Sequence, residues 1–235
     1  MQRFYVPRSF TDSELLTLST EESHHVVRVM RMDSGNSLSL VNGRGDLALA
    51  VIETADAKRC TVRVVSVSGV PNANRVHVCF SIPKSTALDF IIRRCTEIGV
   101  ASFQPLISQH SLHGGWNPQR WQRIVVEVGK QCQEAHFPVV HPPIAIGEWL
   151  KIRAARPLIF CSEQHRAVGS VGEKFDAYDL LVGAEGGWSE KEITDVLAVP
   201  ARLFGLGTNR LRAETAALVS TILLKKETGE LQTVV

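Results

Sequence analysis

Gly183-Ala184-Glu185-Gly186-Gly187-Trp188 and Gly205-Leu206-Gly207-Thr208-Asn209-Arg210-Leu211-Arg212-Ala213-Glu214-Thr215 each follow a short apolar run and each lead into a helical pattern. Strand, glycine loop and helix, met twice, point to an open α/β sheet, where ligands bind beyond the carboxyl ends of the strands. Glycine lets the backbone approach a ligand closely and adopt positive φ. Main-chain N–H and C=O groups can then bond an adenine edge or a carboxylate directly. Neither loop has the spacing GxGxxG or GxxxxGK[ST], so the dinucleotide and nucleoside-triphosphate fingerprints are excluded on pattern. Spacing alone leaves a second reading open, in which both loops are simply tight turns.

The sequence around these loops supports the alternation. Val76 to Ile82 reads as a strand, Thr86 to Ile98 as an amphipathic helix, and Ala101 to Ile107 as a strand. Pro118 to Ala135 reads as a helix with proline near its first turn, where a missing N–H is tolerated. Leu158 to Cys161, Asp179 to Gly183 and Ala201 to Gly205 read as short strands. Ser189, followed three residues later by Glu192, is a capping-box signature opening a helix to Val199. Ala213 to Lys226 is the closing helix. A mostly parallel sheet follows from this order.

The first ~70 residues read differently, in short strands and one short helix, which suggests a small β-barrel. The strands are Arg3 to Val6, Ser37 to Val41, Leu47 to Glu53 and Cys60 to Val67, with Asn42-Gly43 marking a hairpin. Glu21 to Met32 suits the helix. The turn-rich Gly69 to Asn74 is the expected linker, giving domains 1–70 and 71–235.

The chain has 235 residues, 44% hydrophobic and 21% charged, with a formal net charge of +2. This is ordinary globular composition and excludes a disordered or disulfide-stapled class. No apolar run is long enough for a membrane span, and Met1-Gln2-Arg3-Phe4-Tyr5 does not begin a signal peptide. Five cysteines without a CxxC pair read as reduced thiols of a cytoplasmic protein, with no metal centre. The small net charge argues against a uniformly basic, nucleic-acid-coating surface but allows local patches. Adjacent His24 and His25 diverge on a helix and do not share a metal. His110 and His113 lie in a loop near Trp116 and read as solvated or substrate-facing. No GxSxG elbow is present, so a serine hydrolase has no support.

Four blocks, the last of them holding the two loops, carry a wider pattern. They are Arg3-Phe4-Tyr5-Val6-Pro7; His24-His25 through Arg28-Val29-Met30-Arg31 to Asn42-Gly43; and Pro83-Lys84 through Asp89 to Thr96-Glu97-Ile98-Gly99. The last comprises the loops extended, VGAEGGWSEKEI (Val182 to Ile193) and LGTNRLRAETAA (Leu206 to Ala217). Together the sequence resembles the ribosomal RNA small subunit methyltransferase E family of the SPOUT (α/β-knot) superfamily, over nearly the whole chain. The resemblance implies an α/β protein with an N-terminal PUA-like β-barrel that binds RNA and a C-terminal, trefoil-knotted SPOUT methyltransferase domain. It implies S-adenosylmethionine as methyl donor, a homodimer, and methylation of uracil N3 in 16S rRNA of the small ribosomal subunit.

Carried onto this sequence, the cofactor residues are Gly183, Glu185, Gly186, Gly187, Leu206, Gly207, Leu211, Ala213 and Thr215. Arg212 is the expected catalytic residue, favouring negative charge on the uracil or orienting a phosphate; an ion pair with Glu214 or Glu185 is its structural alternative. Glu214 and Thr215 can instead cap the last helix. RNA contacts are expected from Arg28, Arg31, Lys84, Arg93, Arg94 and Arg210. The pattern departs at Ala184 and Ala213, and loses basic residues at Ala87, His110 and Asn209. Lys130-Gln131-Cys132-Gln133-Glu134 has both end charges reversed. These departures leave open an RNA-binding or assembly factor of the same fold, or a methyltransferase with another RNA target.

Overall fold

The computed structural model describes residues 2–111, 117–162 and 175–231. They divide into two compact units: Met1–Asn72 with Val126–Phe137, and Ala73–Val125 with Pro138–Val235.

The first unit is a five-stranded sheet in the order β1-β3-β4-β5-β2, formed by β1 (Arg3–Tyr5), β2 (Leu15–Thr17), β3 (Ser37–Val41), β4 (Asp46–Thr54) and β5 (Thr61–Gly69). β1 lies parallel to β3 and the other pairs are antiparallel. All five strands send apolar side chains into one core, among them Phe4, Leu16, Leu40, Ile52 and Val62, closed by Val26. The Asn-Gly hairpin is present between β3 and β4, with Val41 opposite Leu47. Its loop is wider than a two-residue turn, because Asn42 Oδ1 accepts from the N–H groups of Arg44 (2.7 Å) and Asp46 (3.0 Å). The single helix expected over Glu21 to Met32 is a short α1 (Thr20–His24) followed by a π-helical turn, His25–Val29. It ends before Arg31, whose φ of 55° takes the chain out of helical space. Strand β2 was not legible: three residues carry too little alternation to register.

Val126–Phe137 joins this unit, which the linear division at residue 70 does not include. Phe137 donates its N–H to Gly43 O at 2.8 Å and its ring lies 5.5 Å from that of Tyr5. Lys130 Nζ reaches the buried Glu22 at 2.5 Å. Glu134 Oε1 accepts from the N–H groups of Ala135 (2.8 Å) and His136 (3.0 Å). Both charges of the reversed segment thus have structural partners.

The second unit is a parallel sheet of β6 (Val76–Ser81), β7 (Ser102–Ile107), β8 (Val139–Val140), β9 (Ile144–Ala145), β10 (Leu158–Phe160), β11 (Tyr178–Val182) and β12 (Ala201–Leu203). Its order is β12-β10-β11-β6-β7-β8, with β9 beside β7. The chain therefore crosses from β11 past β10 to β12, and its last helix returns to β6. This is the α/β-knot arrangement that the resemblance implies. Both faces are covered, which explains strands apolar at every position such as Tyr178–Val182. α4 (Ile146–Ile152) and α5 (Glu190–Leu197) cover one face through Trp149 and Val196, which meet Cys79, Phe160 and Leu181. α2 (Ser85–Glu97) packs with α6 (Ala213–Thr228), which also contacts β6 and β11. α3 (Pro118–Gln131) stops short of the expected Ala135 because Gln133 takes a φ of 60°. α4 was not anticipated.

At the amino ends of the strands a polar row crosses the sheet. Asp179 is fully buried and receives Arg153 (2.9 Å) and Arg156 (2.8 Å). Beside it in register is His77, whose Nδ1 lies 2.7 Å from Ser102 Oγ. Burial, with Arg156 close by, brings the His77 imidazole down to about 4. This row lies at the end of the sheet remote from the glycine loops.

Candidate active site

The glycine loops begin where β11 and β12 end. Each parallel strand delivers its carboxyl end to the same edge, so Cys161 and Ser162 after β10, Val182 at the end of β11 with Gly183 after it, and Phe204 after β12 meet there. Phe204 N–H extends the ladder by donating to Phe160 O at 2.9 Å. The residues enclose a cavity of about 320 Å³, within the range of small-molecule sites. Gly183, Glu185, Gly186, Gly187, Leu206, Gly207, Leu211 and Ala213, all expected at the cofactor, line it, with Trp188, Asn209, Arg210 and Ala216. Thr215 is exposed and does not line it.

Local bonding fixes the loops. Gly187 N–H donates to Ala184 O at 2.9 Å, closing a turn around Glu185 and Gly186 that alanine at position 184 satisfies. Gly187 has a φ of 68° and Gly207 a φ of 100°, values that L side chains adopt only with strain. Arg210 Nη2 donates to Glu185 O at 3.2 Å and so links one loop to the other. Ser189 and Glu192 form the expected capping box on α5. Glu192 does more than cap: Oε2 accepts from Ser189 N (2.9 Å) and Oγ (2.9 Å), while Oε1 accepts from Gln109 N (2.7 Å) in the loop after β7. That second clamp had no signal in the sequence, because Gln109 and Glu192 are distant along the chain.

His110 follows directly and lies against Gly186. His113, Gly114-Gly115 and Trp116 lie outside the described residues. Arg212 is exposed and occupies the N-cap position of α6 without a side-chain capping bond. Among the described residues it forms no ion pair, with Glu214, Glu185 or any other carboxylate. Glu214 lies in the first turn of α6, where its carboxylate complements the unpaired N–H groups of the helix start.

The basic residues expected at RNA are spread over both units. Arg28 and Arg31 are exposed in the first. In the second, Lys84 is exposed at the start of α2, Arg93 is half-buried, and Arg94 is held by Glu97 at 2.8 Å and by the Phe90 ring at 5.8 Å. Ala87 is buried on α2.

The cavity suits S-adenosylmethionine. It offers main-chain groups of two loops to a nucleoside and apolar walls at Leu206, Leu211, Ala213 and Ala216. Among the described residues the buried indole Nε1 of Trp188 has no hydrogen-bond partner there, a donor that a ligand acceptor can satisfy. Glycine at 183 keeps the approach to that group open, since a Cβ there would stand 3.0 Å from Nε1. Burial pushes the Cys161 thiol up to about 12, so it serves as an inert wall.

Known proteins share this arrangement. The family model of the RNA methyltransferase domain matches residues 70–225, and that of the RNA methyltransferase PUA domain matches residues 18–65. Ribosomal RNA small subunit methyltransferase E of Synechocystis is 29% identical over 87% of this chain and 71% of its own length. The crystal structure of the enzyme of that name from Neisseria gonorrhoeae, bound to S-adenosyl methionine, superposes with a TM-score of 0.88 at 25% identity, covering 96% of this chain and 97% of that one. A Legionella pneumophila protein in complex with SAM gives 0.86 at 26% identity, covering 95% and 96%. Fold, cavity and relatives agree: the chain belongs to the RNA methyltransferase family, in its ribosomal RNA small subunit methyltransferase E branch, and is an S-adenosylmethionine-dependent enzyme with a PUA-like domain ahead of a SPOUT domain.

Proposed function

We propose that this chain methylates N3 of a uracil in the 16S rRNA of the small ribosomal subunit, as a cytoplasmic homodimer. The carrying observation is the cavity at the carboxyl strand ends, walled by both glycine loops. When bound, S-adenosylmethionine supplies a methyl carbon on a sulfonium, open to in-line displacement. The protein's task is then mostly positioning. The glycine loops hold the nucleoside through main-chain groups, and Thr215 lies on α6 between Ala213 and Ala216, which line that cavity. Arg212, exposed at the start of α6, offers positive charge to a uracil losing its N3 proton, or to a phosphate. Arg28 and Arg31 in residues 1–70, and Lys84, Arg93, Arg94 and Arg210 in residues 71–235, make the RNA contacts. A dimer is supported by exposed Phe90 and Ile222 on α2 and α6, which pack together. No helix is long and apolar enough to cross a membrane among the described residues.

Calorimetry with S-adenosylmethionine tests the pocket, and no binding at millimolar cofactor refutes it. Small subunits lacking the modification, incubated with enzyme and cofactor, should yield 3-methyluridine by nucleoside mass spectrometry. Ala87, His110 and Asn209, where the family has basic residues, favour one second reading, a different RNA target, and another methylated nucleoside would establish it. Arg212→Ala should lower the methylation rate far more than cofactor affinity; equal loss of both makes Arg212 structural. Analytical ultracentrifugation reads the dimer.

A further inference from the structure

We propose that His110 is the proton acceptor for uracil N3, an inference that rests on the function proposed above. The reaction needs one: N3 of uracil carries a hydrogen, and its lone pair is available to carbon only as that proton leaves. His110 stands at the loop that walls the cofactor cavity. A Cβ on Gly186 would lie 2.8 Å from His110 Cβ and 3.1 Å from its Cγ, so the side chain lies directly on the backbone of that loop.

Its tautomer is set by its partner. Nδ1 lies 3.4 Å from Gly187 O, and a carbonyl only accepts, so Nδ1 carries the hydrogen. Nε2 is then the basic nitrogen. It has no partner among the described residues, and the side chain is exposed. An imidazole held through one ring nitrogen with the other facing solvent has the arrangement required of a general base.

The backbone beneath the imidazole is unusually well fixed for a surface turn. Ser108 N–H donates to Ser111 Oγ at 3.1 Å, and that hydroxyl donates to Ser108 O at 2.9 Å. Ser108 Oγ meets Ser81 Oγ at 2.5 Å in the interior. Gln109 N–H is held by Glu192 at 2.7 Å. The turn is thus tied to β6, to its own far end and to α5, while the ring is tied to the glycine loop. Glu192 on α5 bonds the residue before His110, and in the glycine loop Arg210 donates to Glu185 O.

In the step itself, the N3–H proton passes to His110 Nε2 as the N3 lone pair forms the new bond to the methyl carbon. The carbon–sulfur bond breaks with its electron pair left on sulfur as a thioether. The imidazolium afterwards loses its proton to water. No further reactant is needed.

The test measures 3-methyluridine formation on unmodified small subunits by the wild type, His110→Ala and His110→Gln, with cofactor affinity by calorimetry. Both variants should methylate about 10²–10⁴-fold more slowly with cofactor affinity unchanged, the usual span for a lost general base. Added imidazole should restore part of the rate to His110→Ala and none to His110→Gln, whose side chain fills the space. Subunits containing 5-fluorouracil, whose N3 proton is more acidic, should shrink the defect of both. Variants within threefold of the wild type, or a defect indifferent to both imidazole and fluorine, overturn the inference while leaving the methyltransferase reading intact. A wild type that binds cofactor and forms no 3-methyluridine overturns both.

Discussion

Replacing Glu192 by alanine removes a carboxylate that joins the start of α5 to the Gln109 turn. Its side chain is only 8% exposed, so water does not readily replace what it bonds. Oε2 satisfies Ser189 N and Oγ, and Oε1 satisfies Gln109 N, all at 2.7–2.9 Å. Each bond has an ionised acceptor, the stronger class of protein hydrogen bond. In Glu192→Ala the two backbone donors are left behind, at about 1–3 kcal/mol each if buried. The Ser189 hydroxyl still caps Glu192 N, bonded at 3.3 Å, so half of the capping box survives. Water reaches the exposed side of the Gln109 turn and offsets part of the loss. A net destabilisation of about 3 kcal/mol results, or a fall in Tm of about 6–12 °C at roughly 2–4 °C per kcal/mol for a chain of this size. Glu192→Gln should lie between, because one amide oxygen can still accept from Gln109 while the amide nitrogen faces the Ser189 N–H. Urea unfolding and a thermal scan followed by circular dichroism measure both variants. An alanine variant within 0.5 kcal/mol of the wild type would show that Glu192 is a solvated cap of α5 and that the clamp on Gln109 carries no weight (~0.5 kcal/mol being ordinary surface variation).

Gly207→Ala tests the second loop in isolation: nothing lies within 4 Å of the added Cβ, so only the φ of 100° resists. It should weaken S-adenosylmethionine binding in calorimetry, at a conformational cost of about 1–2 kcal/mol, with a fall in Tm of about 2–8 °C on the same scale; unchanged affinity would remove the backbone geometry from the binding argument. His77 gives a pH dependence of known sign. Its folded value is depressed to about 4, so between the ordinary imidazole range and that value the unfolded chain binds a proton that the folded chain does not. Stability should therefore fall as pH drops from about 6.5 towards 4, and the slope of urea midpoints against pH should flatten in His77→Gln. His141, held down by burial and Arg156, adds a slope of the same sign that this variant keeps.

The second unit was legible wherever one chain segment carried the whole signal. Ser189 and Glu192 lie within one helical turn, so the capping box could be read off directly. The glycine loops were legible because strands buried on both faces leave unbroken apolar runs in front of them. What was missed depends on partners remote in sequence or on elements too short to show a period. α4 has seven residues with Gly147 inside it, and only its burial of Trp149 against the sheet makes it a helix. The attachment of Phe137 to Gly43 joins segments nearly a hundred positions apart. Charge alone also misled: Lys130 and Glu134 stood out as departures at an RNA surface, yet each is engaged within the first unit. The knotted topology came from resemblance, because no local pattern encodes the order in which strands are laid down in a sheet.

That order has a consequence for the protein's synthesis. The cavity draws wall residues from Cys161, from the Val182 to Trp188 stretch, and finally from Leu206 to Ala216. A ribosome releases these in sequence, so a nascent chain holds most of the β-sheet strands well before it owns a site. The last wall arrives with α6, the final helix described, which must also find its place on α2 and β6. Partly made chains are accordingly blind to the cofactor, and a ribosome cannot be modified by an enzyme that it is still translating. Affinity for the small molecule thereby reports that synthesis has passed the start of α6, and ligand-induced protection from proteolysis during pulsed synthesis should appear only after Ala216 has emerged.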